Sequence, residues 1–293
     1  MRILITGGSG FIGKNLCEQL KPYYDILAPA RKDLDLLDED MVQRFFAQND
    51  IDVVIHCAIK PGHRNAADTE ALLYNNTRMF MNVARNKHRF GRMIHLGSGL
   101  EYDIRYYIPK MTEDYFDKHV PLDEAGFSKY LCAKYIESSS EDIVNLRLFG
   151  VFGKYEDYAI RFISNAICKT LFNLPVTIKQ NRKFDYIYIN DFIPILRYFI
   201  ENKPKYRTYN VTPYSSIELY TLAQKVLRIS GKDLPIKIAQ EGMGAEYSGD
   251  NSRLRSEIES LEFTDMDDAI SELYDWYKSN IHLIDRQKLL FDK

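Results

Sequence analysis

Short apolar runs alternate with longer amphipathic segments along the first half of the chain. The runs typical of buried strands are residues 3–6, 25–28, 52–57, 92–96 and 143–148. The segments between them with the periodicity of amphipathic helices include residues 12–20, 39–48 and 70–86. Strands that alternate with such helices indicate βαβ units, in which parallel strands pair and helices cover both faces of the sheet. The pattern therefore predicts an α/β fold with a Rossmann-type, doubly wound parallel sheet.

The second half of the chain has a mostly helical pattern. One more apolar run occurs at 185–189, and the segments with helix-like periodicity are 192–202, 216–230 and 267–279. We expect a sheet domain over 1–150 and a smaller, mostly helical C-terminal lobe. The remaining boundaries that we predict are 183–203 returning to the sheet domain, 151–182 and 204–280 forming the lobe, and 281–293 as a tail.

Charge and composition narrow the classes of partner. The 39 lysines and arginines against 41 acidic residues give a net charge of −2, which lacks the basic excess of a nucleic-acid-coating protein. No apolar run reaches the roughly 18–20 residues of a membrane helix, and no signal-peptide pattern precedes the first strand. The four cysteines are scattered, which predicts reduced thiols and no metal site. We expect a cytoplasmic protein without a nucleic-acid or membrane partner.

A glycine-rich segment is the strongest functional signal. Gly7-Gly8-Ser9-Gly10-Phe11-Ile12-Gly13 follows the first strand directly and opens the first helix. Glycine lets the backbone turn tightly there and lets a pyrophosphate approach the helix N-terminus, where free N–H groups favour anions. This segment predicts a dinucleotide site that includes Gly7, Gly10, Phe11, Ile12 and Gly13.

The end of the second predicted strand indicates which dinucleotide binds. NAD-selective sites of this type have an acidic residue there, which holds the ribose 2′-hydroxyl. This chain instead continues Leu27-Ala28-Pro29-Ala30-Arg31-Lys32, with no acid and two cations. A guanidinium matches a 2′-phosphate in charge and geometry. Arg31 therefore favours NADP(H), with NAD(H) as the alternative.

Three Tyr-x-x-x-Lys matches compete for a catalytic role, because this spacing puts a phenol and an ammonium on one helix face and lowers the phenol pKa. Tyr106/Lys110 contains a proline, and Tyr274/Lys278 lies far from the cofactor elements. Tyr130/Lys134 lies in a helical segment ahead of the strand at 143–148, and Ser98 ends the preceding strand. We predict Ser98, Tyr130 and Lys134 as the catalytic set.

These motifs together resemble the extended short-chain dehydrogenases/reductases, the NAD-dependent epimerase/dehydratase family that acts on nucleotide sugars. The chain is most similar to GDP-fucose synthase-like and 4-ketoreductase members. The resemblance implies an enzyme in which Tyr130 and Lys134 also contact the cofactor, and it is compatible with a homodimer. The further cofactor-binding residues that it implies are Asp35 and Leu36 at the adenine, Cys57, Ala58 and Lys60 after the third strand, and Asn76.

Departures from the family pattern narrow the reaction. Gly99 and Leu100 follow Ser98, where family dehydratases have an Asp-Glu pair and the epimerising synthases have a cysteine at the second position. The epimerising synthases also use a histidine early in the substrate lobe, but all six histidines of this chain lie outside 120–281. Dehydration and 3,5-epimerisation are therefore disfavoured. Hydride and proton transfer at one carbon is what remains.

The substrate half departs further from the family. Gly150, Phe184 and Gln240 replace family asparagine and arginine positions. The substrate-binding residues that we predict instead are Lys60, Ser98, Gly99, Arg161, Arg182 and Arg253. The resulting hypothesis is NADPH-dependent reduction of a nucleotide-linked 4-keto sugar, in activated-sugar biosynthesis. The alternatives are a nucleotide-sugar 4-epimerase with tightly bound NAD and a catalytically silent dinucleotide-binding regulator.

Overall fold

The computed structural model describes residues 1–63 and 65–291 of the chain. Its first half alternates strands and helices as the pattern predicts. The elements are β1 (Arg2–Thr6), α1 (Phe11–Leu20), β2 (Asp25–Leu27), α2 (Glu39–Gln48), β3 (Ile51–His56), α3 (Leu72–Ala84), β4 (Phe90–Ser98), α4 (Glu124–Ser138) and β5 (Ile143–Leu148). Strand β4 extends two residues beyond the predicted run at its C-terminal end, so that Ser98 is its last residue.

The later elements form the rest of the sheet and a second lobe. They are β6 (Gly150–Phe152), α5 (Phe162–Leu171), β7 (Val176–Asn181), β8 (Lys183–Phe184), β9 (Tyr186–Tyr188), α6 (Ile189–Glu201), β10 (Thr208–Val211), β11 (Ile217–Glu218), α7 (Leu219–Ser230), β12 (Ile236–Met243), α8 (Ser252–Glu257) and α9 (Met266–Ser279). Helix α5 and most of these short strands were not predicted from the sequence. Each strand pairs across a long stretch of chain, which periodicity does not report.

A six-stranded sheet in the order β10-β5-β4-β3-β1-β2 forms the centre of the fold, and every pair in it is parallel. The predicted Rossmann-type α/β fold is therefore confirmed. Because β1 lies between β2 and β3, the chain reverses its direction of winding there. In open parallel sheets, ligands bind outside the carboxyl ends of the strands at such a point.

The central strands are hydrophobic on both faces because helices cover both. All six residues of β5 are buried, as are four of five in β1 and five of six in β3. One core layer includes α1, α5 and α6, and the other includes α2, α3 and α4. Burial of this kind contributes about 25 cal/mol per Å² of apolar surface, so packing on both faces holds the strand ends in place.

Two segments differ from their predicted positions. The run at 185–189 becomes β9, which pairs with β6 outside the main sheet, and α6 begins already at Ile189. Residues 208–211, predicted to belong to the lobe, form β10 and pair with β5 as the edge strand of the main sheet. Side-chain pattern alone did not distinguish this four-residue strand from the helices around it.

The predicted tail packs onto the protein over its described part. Residues 281–283 and 286–289 form short 3₁₀ turns, and Ile284 and Leu289 are buried in the core. The last two residues of the predicted tail lie outside the described residues. Within the described ranges, no helix has both the length and the apolar character to cross a membrane.

Candidate active site

The glycine segment forms a tight loop between β1 and α1. Gly7 has φ +69°, and a Cβ built there would lie 2.8 Å from backbone atoms of Ala58. A Cβ at Gly13 would lie 2.2 Å from the carbonyl oxygen of Gly7. Gly10 precedes α1 and supplies no side-chain cap. The first-turn N–H groups of α1 are therefore left to a ligand, and glycine is required where the backbone segments approach.

A groove of about 770 Å³ opens at the carboxyl ends of β1, β2 and β3. It passes the glycine loop and the segments that follow β2 and β3. The predicted cofactor residues that line it are Gly7, Gly10, Arg31, Asp35, Leu36, Cys57, Ala58 and Lys60. Phe11, Ile12 and Gly13 form the first turn of α1 beside it. An uncapped helix N-terminus, close backbone approach and a long groove fit a dinucleotide.

Asn76 positions the segment after β3 through two backbone hydrogen bonds. Its Oδ1 accepts from the Lys60 N–H at 2.7 Å, and its Nδ2 donates to the Lys60 carbonyl at 3.2 Å. The Lys60 ammonium pairs with Asp68 at 2.5 Å and donates to the Glu70 carbonyl at 2.7 Å. Asn76 and the Lys60 backbone thus set the wall of the groove, while the Lys60 charge is neutralised locally.

Arg31 lies at the end of the groove with its side chain 76% exposed. Its Nε donates to Asp35 Oδ2 at 3.1 Å, which holds the stem in place. Asp35 Oδ1 also accepts from the Leu37 N–H at 3.0 Å. The carboxylate is therefore engaged by protein groups, while the guanidinium borders the groove.

Replacing Arg31 with alanine is expected to weaken NADPH binding roughly ten- to a hundred-fold and NADH binding much less. A hydrogen bond to a charged group is worth about 1.5–3 kcal/mol, and only NADPH has the 2′-phosphate. Fluorescence titration with both cofactors measures the difference. Lys32→Ala is the matched control, since Lys32 is an exposed neighbouring cation outside the groove lining. Equal weakening of both cofactors would contradict the assignment.

Ser98 is positioned by the turn that follows β4. Its Oγ accepts from the Leu100 N–H at 3.2 Å, and its own N–H donates to Glu101 Oε1 at 3.0 Å. These two bonds form a capping box around the 3₁₀ turn at residues 99–101. Glu101 is fully buried and pairs with the buried Arg147 of β5. The carboxylate is thus part of the core, so the turn supplies no free base near Ser98.

Tyr130 and Lys134 both bond to Asp117. The Tyr130 phenol donates to Oδ1 of this carboxylate, and the Lys134 ammonium pairs with Oδ2. Asp117 and Lys134 line a second cavity, of about 370 Å³, which shares no lining residue with the groove. Within the described ranges, no hydrogen bond or ring contact joins Ser98 to either residue. The structure therefore brings together two of the three predicted catalytic residues.

The pKa of Tyr130 shifts opposite to the prediction. Burial, together with the hydrogen bond to Asp117 and the negative charge of its carboxylate, raises this pKa to about 12. The sequence prediction assumed that the Lys134 ammonium acts on the phenol directly. In the structure the ammonium pairs with Asp117, and the phenol is left beside an anion that disfavours its ionisation.

Besides Lys60, which lines the groove, a second lysine lies close to a groove residue: Lys129, which the sequence analysis did not predict as a site residue. Its ammonium donates to the Leu96 carbonyl of β4 at 2.7 Å. Its charge also acts on the thiol of Cys57, which lines the groove. Burial lowers the pKa of Lys129. A half-buried cation thus lies near the carboxyl ends of β3 and β4.

The phase of α4 contained a signal for Lys129. Cys132, Ala133 and Ile136 are buried and follow Lys129 at i+3, i+4 and i+7, the spacing of one helix face. Tyr130 is rotated by about 100° from Lys129 and packs on the ring of Phe116 instead. The apolar stripe marks the face that packs on the sheet, and Lys129 shares it.

None of the three predicted substrate arginines, Arg161, Arg182 and Arg253, lines the groove. Arg253 donates to Asp114 Oδ1 at 2.8 Å and to the Thr208 carbonyl at 3.2 Å, and it lines the second cavity. The Arg182 guanidinium packs at Gly244, in the region of β7 and β12.

Arg161 lies close enough to Tyr247 for its charge to act on that phenol. It precedes α5, and its charge partly opposes the rise that burial causes in the pKa of Tyr247. The phenol of Tyr247 interacts with the Ser98 hydroxyl. Gly99 also lies beside these phenols, because its carbonyl accepts a hydrogen bond from Tyr107, whose ring stacks on that of Tyr247. The sequence analysis did not predict Tyr107 or Tyr247 as site residues.

Comparisons with known proteins agree with this architecture. The chain is 24% identical to GDP-L-colitose synthase of Yersinia pseudotuberculosis, over 94% of this chain and 98% of that protein. It is 24% identical to UDP-glucose 4-epimerase of Bacillus subtilis, over 96% and 98%. The solved structure of GDP-mannoheptose C4 reductase from Campylobacter jejuni with NADP bound matches with a TM-score of 0.81 and 21% identity, over 94% and 98%.

A family model covers the sheet domain and the glycine loop. The NAD dependent epimerase/dehydratase model matches residues 3–212, well over half of the chain. The match includes the groove, Ser98 and Lys129, and it ends just after β10. The chain belongs to the NAD dependent epimerase/dehydratase family.

Proposed function

We propose that the protein reduces the 4-keto group of a nucleotide-linked sugar with NADPH. The proposal rests on the position of Ser98 at the end of β4. Strand β4 pairs with β3, and the residues that follow β3 line the groove that Arg31 borders. The position of Arg31 favours NADPH over NADH. GDP-linked substrates come first in any test, because the colitose synthase and the heptose reductase act on GDP sugars by their names.

The residues around Ser98 suit reduction of a carbonyl group. NADPH, when bound, supplies the hydride that the carbonyl carbon receives. The Ser98 hydroxyl would donate a hydrogen bond to the carbonyl oxygen and stabilise the negative charge that forms on it. The Lys129 ammonium would lie beside the bound cofactor. It would take the cofactor-contacting role that the sequence analysis predicts for Lys134. The assignment of Tyr130 as proton donor stays a prediction, and it requires the phenol to leave Asp117.

The principal test measures single-turnover oxidation of NADPH with 4-keto sugars linked to GDP, dTDP and UDP. NADPH absorbance should fall with at least one of them, and the product should carry a hydroxyl at C4. If none of these substrates oxidises NADPH above the rate without protein, the proposed reduction is wrong.

The site predicts no chemistry at C3 or C5. Leu100 occupies the position two residues after Ser98, and Glu101 is engaged by Arg147. His56 is fully buried, bonds to Thr6 and has a pKa lowered by burial to about 3. With the 4-keto substrate in deuterated water, C3 and C5 should keep their hydrogens. Mass spectrometry checks this against a protein-free control, and enzyme-dependent deuterium uptake would mean that another side chain acts as a base.

A 4-epimerase is the second candidate, and the full-length match to UDP-glucose 4-epimerase favours it. An epimerase retains its dinucleotide between the two hydride transfers, whereas a reductase exchanges it each turnover. Denaturing the purified protein and identifying the released dinucleotide separates the two. Retained NAD would indicate the epimerase, and freely exchanging NADPH would indicate the reductase.

A further inference from the structure

The surroundings of Ser98 contain two phenols from distant parts of the chain. Tyr247 lies between β12 and α8, and its backbone pairs with residues 183–185 through hydrogen bonds of 2.9 and 3.1 Å. Its ring centroid is 5.1 Å from that of Tyr107 and 5.1 Å from that of Phe149. A backbone bridge and ring contacts with Tyr107, Phe149 and Phe184 therefore hold the Tyr247 side chain in one place.

The Tyr247 phenol lies directly over the turn that begins at Ser98. A Cβ built on Gly99 would lie 2.6 Å from Tyr247 Oη, so only glycine leaves room for the phenol there. The phenol interacts with the hydroxyls of Ser98 and Tyr107, and Tyr107 in turn donates to the Gly99 carbonyl. Three hydroxyl groups thus converge at the end of β4.

Helix α4 has no phenol one turn before Lys129 on the face that packs on the sheet. The position one turn before Lys129 on the same face is Ala125, which has no hydroxyl. Tyr130 is held by Asp117 beside the second cavity. A proton donor next to Ser98 therefore has to come from another element of the fold.

We propose that Tyr247 is the proton donor of the reduction. This inference rests on the proposed function. As the carbonyl carbon gains a hydride, the electron pair of the C=O π bond moves to the oxygen, which Ser98 holds. The O–H bond of Tyr247 breaks, its proton bonds to that oxygen to give the alcohol, and the phenolate recovers a proton from water. Arg161, whose positive charge acts on Tyr247, stabilises the transient phenolate.

Tyr247→Phe is expected to lower single-turnover NADPH oxidation by ~10²–10⁴-fold, the usual contribution of a general acid. The phenylalanine keeps the ring contacts, so the melting temperature and the Kd for NADPH should stay near those of the parent. Tyr274→Phe, on α9, is the matched control for loss of a phenol elsewhere.

A second variant tests the assignment through the pH dependence of turnover and not only through a loss of turnover. Tyr247→His replaces the phenol with a donor whose ordinary pKa is about 6.5. The imidazolium donates only while protonated, so turnover should be highest below that pH and fall as the pH rises through it. If the pH dependence of turnover in Tyr247→His matches that of the parent, the assignment is wrong. This test holds even if Tyr247→Phe does not fold.

The possible failures are distinguishable. If the parent oxidises NADPH and Tyr130→Phe loses turnover while Tyr247→Phe keeps it, the assignment of Tyr247 is wrong and the proposed function stands. If the parent oxidises no NADPH with any 4-keto nucleotide sugar, the proposed function and this assignment are both wrong.

Discussion

Replacing Ser98 with alanine is expected to lower the turnover of NADPH oxidation by ~10²–10³-fold, the cost of removing one donor to a developing oxyanion. The Ser98 hydroxyl lies at the end of β4, where it can donate a hydrogen bond to the carbonyl oxygen. NADPH affinity should stay within a few-fold of the parent, because Ser98 is not among the residues that line the groove. Stopped-flow absorbance and fluorescence titration measure the two quantities separately.

A conservative variant controls for the structural role of Ser98. Its hydroxyl also accepts from the Leu100 N–H, and loss of such a cap costs about 1 kcal/mol of stability. Ser98→Thr keeps the hydroxyl, and the extended backbone there, with φ −153° and ψ 152°, suits a β-branched residue. Threonine should therefore restore much of the turnover that alanine loses. Near-parent turnover in Ser98→Ala would remove Ser98 from the mechanism.

Replacing Arg147 with methionine is expected to lower the free energy of unfolding by about 3–5 kcal/mol, because it leaves the Glu101 carboxylate buried without its counter-charge. Both side chains of this pair are fully buried. The guanidinium also lies 4.9 Å from the ring centroid of Tyr102 and 4.5 Å from that of Phe116. Urea unfolding followed by circular dichroism measures the loss.

Two further variants show whether the loss comes from the unpaired charge. Glu101→Leu combined with Arg147→Met removes both charges and should recover part of the stability, since apolar replacements of buried pairs are often neutral. The recovery should be incomplete, because Asn145 and the Ser98 N–H also donate to Glu101. Arg89→Met, at an exposed position, should change stability by less than about 0.5 kcal/mol. A loss in Arg147→Met as small as that control would contradict the argument.

The sheet and the cofactor groove were predictable because their signals are local. A buried strand, a glycine-rich turn and a helix follow one another within residues 2–20, and each has its own sequence pattern. The carboxyl ends of parallel strands share one edge of the sheet, so residues after β1, β2 and β3 meet there. Gly7 and Arg31 were identified in this way and Ala58 from the family resemblance, and all three line the groove.

The proposed catalytic side chains were not predictable in the same way. Neighbouring positions on a helix point about 100° apart, so a one-residue change of register exchanges Lys129 for Tyr130 at the sheet. The Tyr-x-x-x-Lys spacing reports that two side chains share a face but not which face packs on the sheet. It also does not report a third group such as Asp117, which binds both Tyr130 and Lys134.

The sequence by itself determined the parallel βαβ units of the first half, the glycine loop, a cation after β2 and Ser98 at a strand end. Each of these depends on residues close together in the chain and on the regular geometry of strands and helices. Only the tertiary structure decided that Lys129 lies under the groove and that Tyr247 lies over Ser98. The position of Lys129 depends on which face of α4 packs on the sheet, and that of Tyr247 depends on a backbone bridge between distant segments, so both follow from packing between elements.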